Sequence, residues 1–316
     1  MIAGRIIKKI ATKLPYLRQP FLEIDQLRAE LAAYKTDQFV PAGHFYSPIP
    51  SIEQISLNEA RIFGSPERKL PAIELNEEQQ ILLLSQFKPY YGEQPFQAKK
   101  KQGVRYFAEN PNFPYSDAIF LYCMIRHIRP KKIIEVGSGY SSAVILDTNE
   151  LFLNNAVSCS FIEPYPQLLL SLISDTDKAR IKIIPNNLQD VPLTLFEQLS
   201  AGDILFIDST HVSKVDSDVN YIFFNILPKL KNGVYVHFHD IFYPFEYPRE
   251  WIYEGRAWNE AYLLRAFLEY NQAYRIVFFN DFLELFHKHR KKLAAQMPLI
   301  TKHRGGSIWL KKELIE

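Results

Sequence analysis

Cysteine is scarce in this chain, and the two residues present, Cys123 and Cys159, both lie inside apolar runs. That usage excludes a disulfide framework and fits reduced core thiols of a cytosolic protein. Long apolar runs are missing too. None approaches the roughly 20 residues a membrane span requires, and no cleavable signal pattern opens the chain. Charge of one sign is equally lacking: 37 basic against 35 acidic residues leave a formal charge of +2, too little to argue for nucleic acid as a partner. We find no internal repeat and no low-complexity tract. What remains is a soluble chain of 316 residues, 47% of them hydrophobic, long enough to bury one large core and carry an extension.

Glycine is sparse as well, yet two of the 12 stand two apart in the run Lys-Lys-Ile-Ile-Glu-Val-Gly-Ser-Gly-Tyr-Ser-Ser, residues 131–142. An apolar strand carrying Glu135 leads into Gly137 and Gly139, and small polar residues then open a helix. Glycines let the backbone bend sharply and approach a ligand, while free N–H groups at the helix start meet negative charge. Such a turn also serves as a mere tight connection. A dinucleotide fold wants a third glycine where Ser142 stands, which counts against the alternative of a nicotinamide-dependent oxidoreductase. With Glu135 two residues before Gly137, the spacing resembles the Glu/Asp-x-Gly-x-Gly motif of class I S-adenosylmethionine-dependent methyltransferases. The resemblance implies that Glu135 helps hold the cationic amino end of the cofactor and that Gly137, Ser138, Gly139, Ser141 and Ser142 make room for it. A second apolar strand ends at Glu163, whose carboxylate is placed to accept both ribose hydroxyls. Asn187, with Asn186 and Gln189, offers amides to the adenine edge.

From residue 116 onward strands and helices alternate. The pattern predicts helices over 116–128, 140–148, 167–174, 192–199, 216–229 and 259–270. Strands are predicted over 133–136, 157–162, 181–184, 203–207, 234–238, 275–279 and 307–310, with a basic insertion at 287–292. We therefore expect an α/β fold, a Rossmann-like doubly wound sheet of seven strands, mostly parallel and covered on both faces. The last strand is expected antiparallel, as the methyltransferase resemblance implies, where a dinucleotide oxidoreductase would end in a parallel one.

Ligands of open α/β sheets sit at the carboxyl ends of the strands. Strand four ends in Asp208-Ser209-Thr210-His211 and strand five in His239-Asp240, more acid and imidazole than a core requires. If the acceptor is a hydroxyl, methyl transfer needs alignment and removal of a proton. His239 is the first candidate base, His211 the second, and Asp208 orients a histidine or the substrate and also borders the cofactor. Asp208 with Asp240 offers hard oxygen ligands to Mg²⁺, which would lower the pKa of a bound hydroxyl. That layout is similar to catechol O-methyltransferase-like enzymes, with His239 standing where one of their metal acids would fall. The runs Gly-Asp-Ile-Leu-Phe-Ile-Asp-Ser-Thr-His, His-Phe-His-Asp-Ile-Phe-Tyr-Pro and Trp-Asn-Glu-Ala-Tyr-Leu-Leu-Arg narrow the resemblance. They look like a bacterial branch grouped as methyltransferase family 24, across about residues 41–310. It implies methylation of a small molecule such as a sugar or natural product, without naming the acceptor; a cofactor-binding protein without turnover is the further alternative.

Residues 1–100 read as a helical and loop-rich extension ahead of a catalytic domain at 101–316. Within it, residues 1–20 carry five cations and no acid, with Ile2, Ile6, Ile10 and Leu14 on one helical face until Pro15. Such a basic amphipathic helix either lies on an anionic membrane surface or packs on its own domain or a second subunit of a homo-oligomer. Helices are predicted at 21–35 and 76–86, with prolines making residues 41–71 extended and irregular, and residues 44–47 are candidates to fold over the site. Phe242, Tyr243, Phe245, Tyr247, Trp251, Tyr253 and Trp258 either wall an acceptor pocket or pack the following helix.

Overall fold

The computed structural model describes residues 15–36, 39–286, 295 and 297–313. Residues 1–14 of the predicted amphipathic helix and the basic insertion at 287–292 lie outside the described residues. The chain forms two compact units, Met1–Gly64 and Ser65–Glu316.

In the first unit a helix spans Pro15–Thr36, with Pro20 inside it. Two short helices, Ile52–Leu57 and Glu59–Ile62, interrupt the stretch predicted to be irregular. Ser51 starts the first of them, its Oγ accepting the Gln54 N–H at 3.3 Å. Among the described side chains of this unit only Ile55 is a buried hydrophobic, while Phe39, Phe45 and Tyr46 are exposed, the rings of Phe39 and Phe45 both lying tilted against that of Tyr46.

The second unit holds a sheet of seven strands: β1 (Lys132–Val136), β2 (Ser158–Ile162), β3 (Lys182–Ile184), β4 (Ile204–Ile207), β5 (Tyr235–His239), β6 (Tyr274–Phe279) and β7 (Ser307–Lys312). Their order is β3-β2-β1-β4-β5-β7-β6. Pairings from β3 to β5 are parallel, and β7 inserts antiparallel between β5 and β6, as expected. β4 is buried along its whole length. Near-continuous apolar strands of this kind belong to parallel sheets with both faces covered. Helix Tyr115–Ile128 is buried on every side from Tyr115 to Ile125, packed against helices Glu77–Glu93 and Tyr140–Leu153, so it is core rather than surface.

The predicted helices survive less intact than the strands. Residues 167–174 give Gln167–Leu172, then a fresh start at Asp175–Lys178, because Ser174 caps the second helix. The segment at 192–199 is the 3-10 helix Leu193–Gln198. Residues 216–229 begin at Asp218 behind the Ser217 cap and pass through a π turn, Ile222–Ile226, just before Pro228, which has no N–H to continue a regular ladder.

Register fixes what the sheet presents. Val136 pairs with both Ile162 and Ile207, and Ile207 with Phe238. The next residue of each strand therefore emerges on one level at the carboxyl edge: Gly137, Glu163, Asp208 and His239.

Candidate active site

At that edge the glycine turn approaches β4 closely. Gly137 has φ +80°, and a Cβ on it would stand 1.9 Å from the Asp208 carbonyl oxygen, so both backbone geometry and space demand glycine. Gly139 is extended, and a Cβ there would press on Leu168 at 2.9 Å. Glu163 accepts the N–H of Ser138 at 3.2 Å and of Tyr165 at 2.8 Å, which anchors its carboxylate beside the turn. The Ser138 hydroxyl is buried with no hydrogen-bond partner. Beyond these groups lies a cavity of about 310 Å³ whose lining includes Gly137, Glu163, Asn187, Gln189, Asp208 and Asp218. Asn186 faces a neighbouring crevice instead.

Glu135 lies beneath the turn, fully buried, its two carboxylate oxygens accepting the hydroxyls of Ser141 and Ser142. Ser142 in turn accepts the Gly139 N–H at 3.0 Å. Burial, helped by the nearby carboxylates of Asp208 and Glu163, pushes the Glu135 carboxyl up to about 8. Thus Ser141, Ser142 and Glu135 form the floor of the turn, whereas Gly137, Glu163, Asn187 and Asp208 line the cavity.

Next to the cavity the ends of β4 and β5 bring four titratable groups together. His211 Nε2 is 3.4 Å from Asp208 and 3.7 Å from Asp240, and its Nδ1 is 2.8 Å from Glu260. His239 Nε2 is 3.4 Å from Asp240, while its Nδ1 is buried without a hydrogen-bond partner. Burial alone would strip the proton from His211, but hydrogen bonds to Asp208 and Glu260 overcome it and raise its pKa well above the ordinary value. His239 is raised against the same burial by Asp240, Asp208 and Asp117. Burial opposes the charge on Asp208 too, yet His239 and His211 hold its carboxyl below the usual range. Asp240 goes the other way: burial pushes it up to about 6 although both histidines pull against it.

Among the described residues, Asp208, His211 and Asp240 form a group able to hold a metal ion, with one ligand atom from each within 4.8 Å of the others. Two carboxylate oxygens and one imidazole nitrogen suit a divalent cation, and the Glu260 carboxylate behind Nδ1 is the usual support for a ligating histidine. His211 rather than His239 thus completes the pair of acids expected from sequence. Of the aromatic segment, Phe242, Tyr243, Phe245 and Tyr247 are buried core, whereas Trp251 and Trp258 stay half-buried, with Trp258 4.3 Å from the His211 ring. Two contributors escape sequence reading. Glu260 and Asp117 both lie in predicted helices, where an acid near the start carries no signal beyond a favourable dipole.

Residues 134–241 match the model of the methyltransferase domain of methyltransferase family 24. The chain is 32% identical over 180 residues to an uncharacterized protein of Archaeoglobus fulgidus, the match covering 56% of this chain and 81% of that protein. Among solved structures it is similar to the SAH-bound methyltransferase PaMTH1 of Podospora anserina, with 12% identity, a TM-score of 0.42, and coverage of 88% of this chain and 99% of that one. It is also similar to the O-methyltransferase TomG of Streptomyces achromogenes in complex with SAM, with 13% identity, a TM-score of 0.42, and coverage of 83% and 96%.

Proposed function

We propose that this chain, which belongs to the class I S-adenosylmethionine-dependent methyltransferases and within them to the family 24 branch, methylates a hydroxyl of a ring-bearing small molecule, a sugar or natural product. The observation that carries this reading is Asp208, which belongs both to the cavity behind the glycine turn and to the acid–histidine cluster beside it.

The chain's own groups suit the cofactor. Glu163 spends one lone pair on each of two backbone N–H groups and keeps acceptor capacity for two ribose hydroxyls. Asn187 and Gln189 stand further along the same cavity, where amides both donate to and accept from an adenine edge. Gly137 leaves the approach to Asp208 clear, and the unpartnered Ser138 hydroxyl has hydrogen-bonding capacity to give. S-adenosylmethionine supplies a methyl group whose bond to sulfur breaks, sulfur keeping the electron pair, as the acceptor oxygen takes the carbon.

The protein's part is alignment and proton removal. His211 is the base in this reading once pH climbs past its raised pKa and Nε2 is bare; that nitrogen faces Asp208 and Asp240, and Nδ1 is already engaged by Glu260. His239, tucked behind Asp240, sets the charge and position of that acid. Trp251 and Trp258 border the cluster and suit the face of a sugar or aromatic ring. The second use of the cluster is metal binding, which the closeness of the three ligand atoms favours. Mg²⁺ held by Asp208, His211 and Asp240 would lower the pKa of an acceptor hydroxyl.

Isothermal titration with S-adenosylmethionine tests the cofactor site. Glu163→Ala is expected to weaken binding by about tenfold to a hundredfold, the worth of hydrogen bonds to a charged group; a wild-type protein that binds no S-adenosylmethionine sinks the reading. Methyl transfer to a panel of hydroxylated ring compounds, run with EDTA and with added Mg²⁺, separates the two uses of His211. Turnover that survives EDTA makes it the base, and turnover restored only by Mg²⁺ makes it a ligand.

A further inference from the structure

The geometry points to a second ligand site, apart from the cofactor cavity, that takes a small amphipathic anion: an apolar ring or short chain inside and an anionic head at the mouth. Its occupancy does not depend on methyl transfer.

The site is a cavity of about 260 Å³ between the first turns of helix Tyr115–Ile128, the irregular segment that precedes that helix, and the stretch Leu299–Lys302. It shares no lining residue with the cavity behind the glycine turn. Its inner wall is apolar, with Phe96, Tyr106, Ala118 and Ile119 all buried. The Tyr106 ring stands edge-on to Phe96 at 4.8 Å, and its hydroxyl donates to the Phe113 carbonyl at 2.7 Å, so its polar end is already engaged. An apolar cavity of about 150 Å³ is enough for benzene, and this one therefore admits a substituted ring or a short acyl chain.

The mouth has the opposite character. Lys302 ends the 3-10 helix Pro298–Lys302 and holds Nζ 4.8 Å from the centroid of the Tyr115 ring. Among the described residues it has no ion-pair partner, so its charge is available while its stem lies along apolar surface. Gln94 spends its carbonyl oxygen on the Phe96 N–H at 2.8 Å, which leaves its amide N–H groups to donate. Two backbone bonds, Ala108 N–H to Gln97 at 2.8 Å and Glu109 N–H to Ala98 at 2.9 Å, close the base of a loop, and both alanines line the cavity. Lys99, Lys100 and Lys101 stand exposed on that loop, with no ion pair among the described residues. No lining residue is acidic; Glu109 meets the Tyr115 hydroxyl at 3.5 Å from outside the lining. Apolar walls with a few polar groups gathered at one end are the usual form of a small-molecule site, and the only charge in this lining is positive.

The test titrates the full chain with anilinonaphthalene sulfonate, an apolar ring system bearing one negative charge, and with uncharged phenylnaphthylamine, reading probe fluorescence. The wild type is expected to bind the sulfonate saturably and more tightly than the neutral probe, and excess S-adenosylhomocysteine is expected to leave that binding unchanged. Ala98→Phe fills the cavity and is expected to weaken both probes by about tenfold or more. Lys302→Gln is expected to weaken the sulfonate by about threefold to fivefold, the worth of one exposed charge pair, and to leave the neutral probe unaffected. Thermal melting shows which variants are folded. Absence of saturable binding, displacement by S-adenosylhomocysteine, equal affinity for the two probes, or affinities indifferent to both substitutions overturns the inference. Should Ala98→Phe fail to fold, Lys302→Gln with the two probes decides.

Discussion

Glu135 shows how burial can rewrite a residue that sequence presents as a charged ligand. The strand-end acid does lie under the glycine turn, but burial there, beside two other carboxylates, raises its pKa to about 8 against the pull of two serine hydroxyls. In the unfolded chain the same carboxyl ionises near 4.5. A group raised on folding lends its full stability below the unfolded value and loses it as pH climbs through the folded one, here from about 4.5 to about 8, by about 1.4 kcal/mol per pH unit for one proton. Glu135→Gln keeps the shape and removes the proton, so wild-type stability from urea unfolding is expected to fall relative to the variant between pH 5 and pH 8. Parallel curves would mean that Glu135 is ionised in the fold. The other strand-end groups were legible because each closes an apolar run whose burial dictates a strand: Glu163 after β2, Asp208 and His211 after β4, Asp240 after β5. Glu260 was not, since its meaning depends on Ser209 and His211, 51 and 49 residues away, and a lone acid at a helix start looks the same with or without them.

Between helices Glu77–Glu93 and Tyr115–Ile128 runs a segment with no regular structure, and one arginine explains how it is held. The N–H groups of Arg105 and Tyr106 both donate to Asp147, and the Arg105 guanidinium reaches Asp147 at 2.8 Å, Asp177 at 2.5 Å and Glu150 at 2.5 Å. Burial opposes the charges, yet the guanidinium holds the Asp177 carboxyl down at about 2. The clamped segment then lays Phe107 edge-on against Tyr140, the first residue of the helix after the glycine turn, and Phe113 5.0 Å from the His239 ring. Arg105→Ala would strand Asp147 and Asp177 without their cation, a loss of about 3 kcal/mol by the usual cost of breaking a buried pair. Thermal unfolding checks it: a decrease below about 1 kcal/mol would place the bridge among surface pairs of little consequence. Strand bounds were readable from sequence to within a residue or two because apolar runs and turns mark them locally. This segment was not, because its order comes from carboxylates 42 and 72 residues away. The helices at 167–174 and 192–199 failed for a milder reason: an internal serine cap in one and 3-10 winding in the other preserve the hydrophobic rhythm while changing the backbone.

At the scale of the whole chain the two units differ in how much core each commands. All seven strands, every residue lining the cavity behind the glycine turn, the acid–histidine cluster and the Arg105 clamp fall within Ser65–Glu316. The first unit offers one buried hydrophobic side chain among those described, Ile55, which is little apolar burial to set against the entropy of ordering the described helices there. Stability therefore resides in the sheet unit. A chain starting at Ser65 is expected to unfold cooperatively, to keep a melting temperature close to that of the full protein, and to bind S-adenosylhomocysteine with the same affinity. Insolubility of the shortened chain, or a tenfold loss of binding by isothermal titration, would show that residues 1–64 contribute to the core or to the cofactor site. The same shortened chain addresses the basic stretch at 1–20. If anionic vesicles retain the full protein but not the chain from Ser65, membrane contact belongs to the first unit; equal partitioning of both removes it from that stretch.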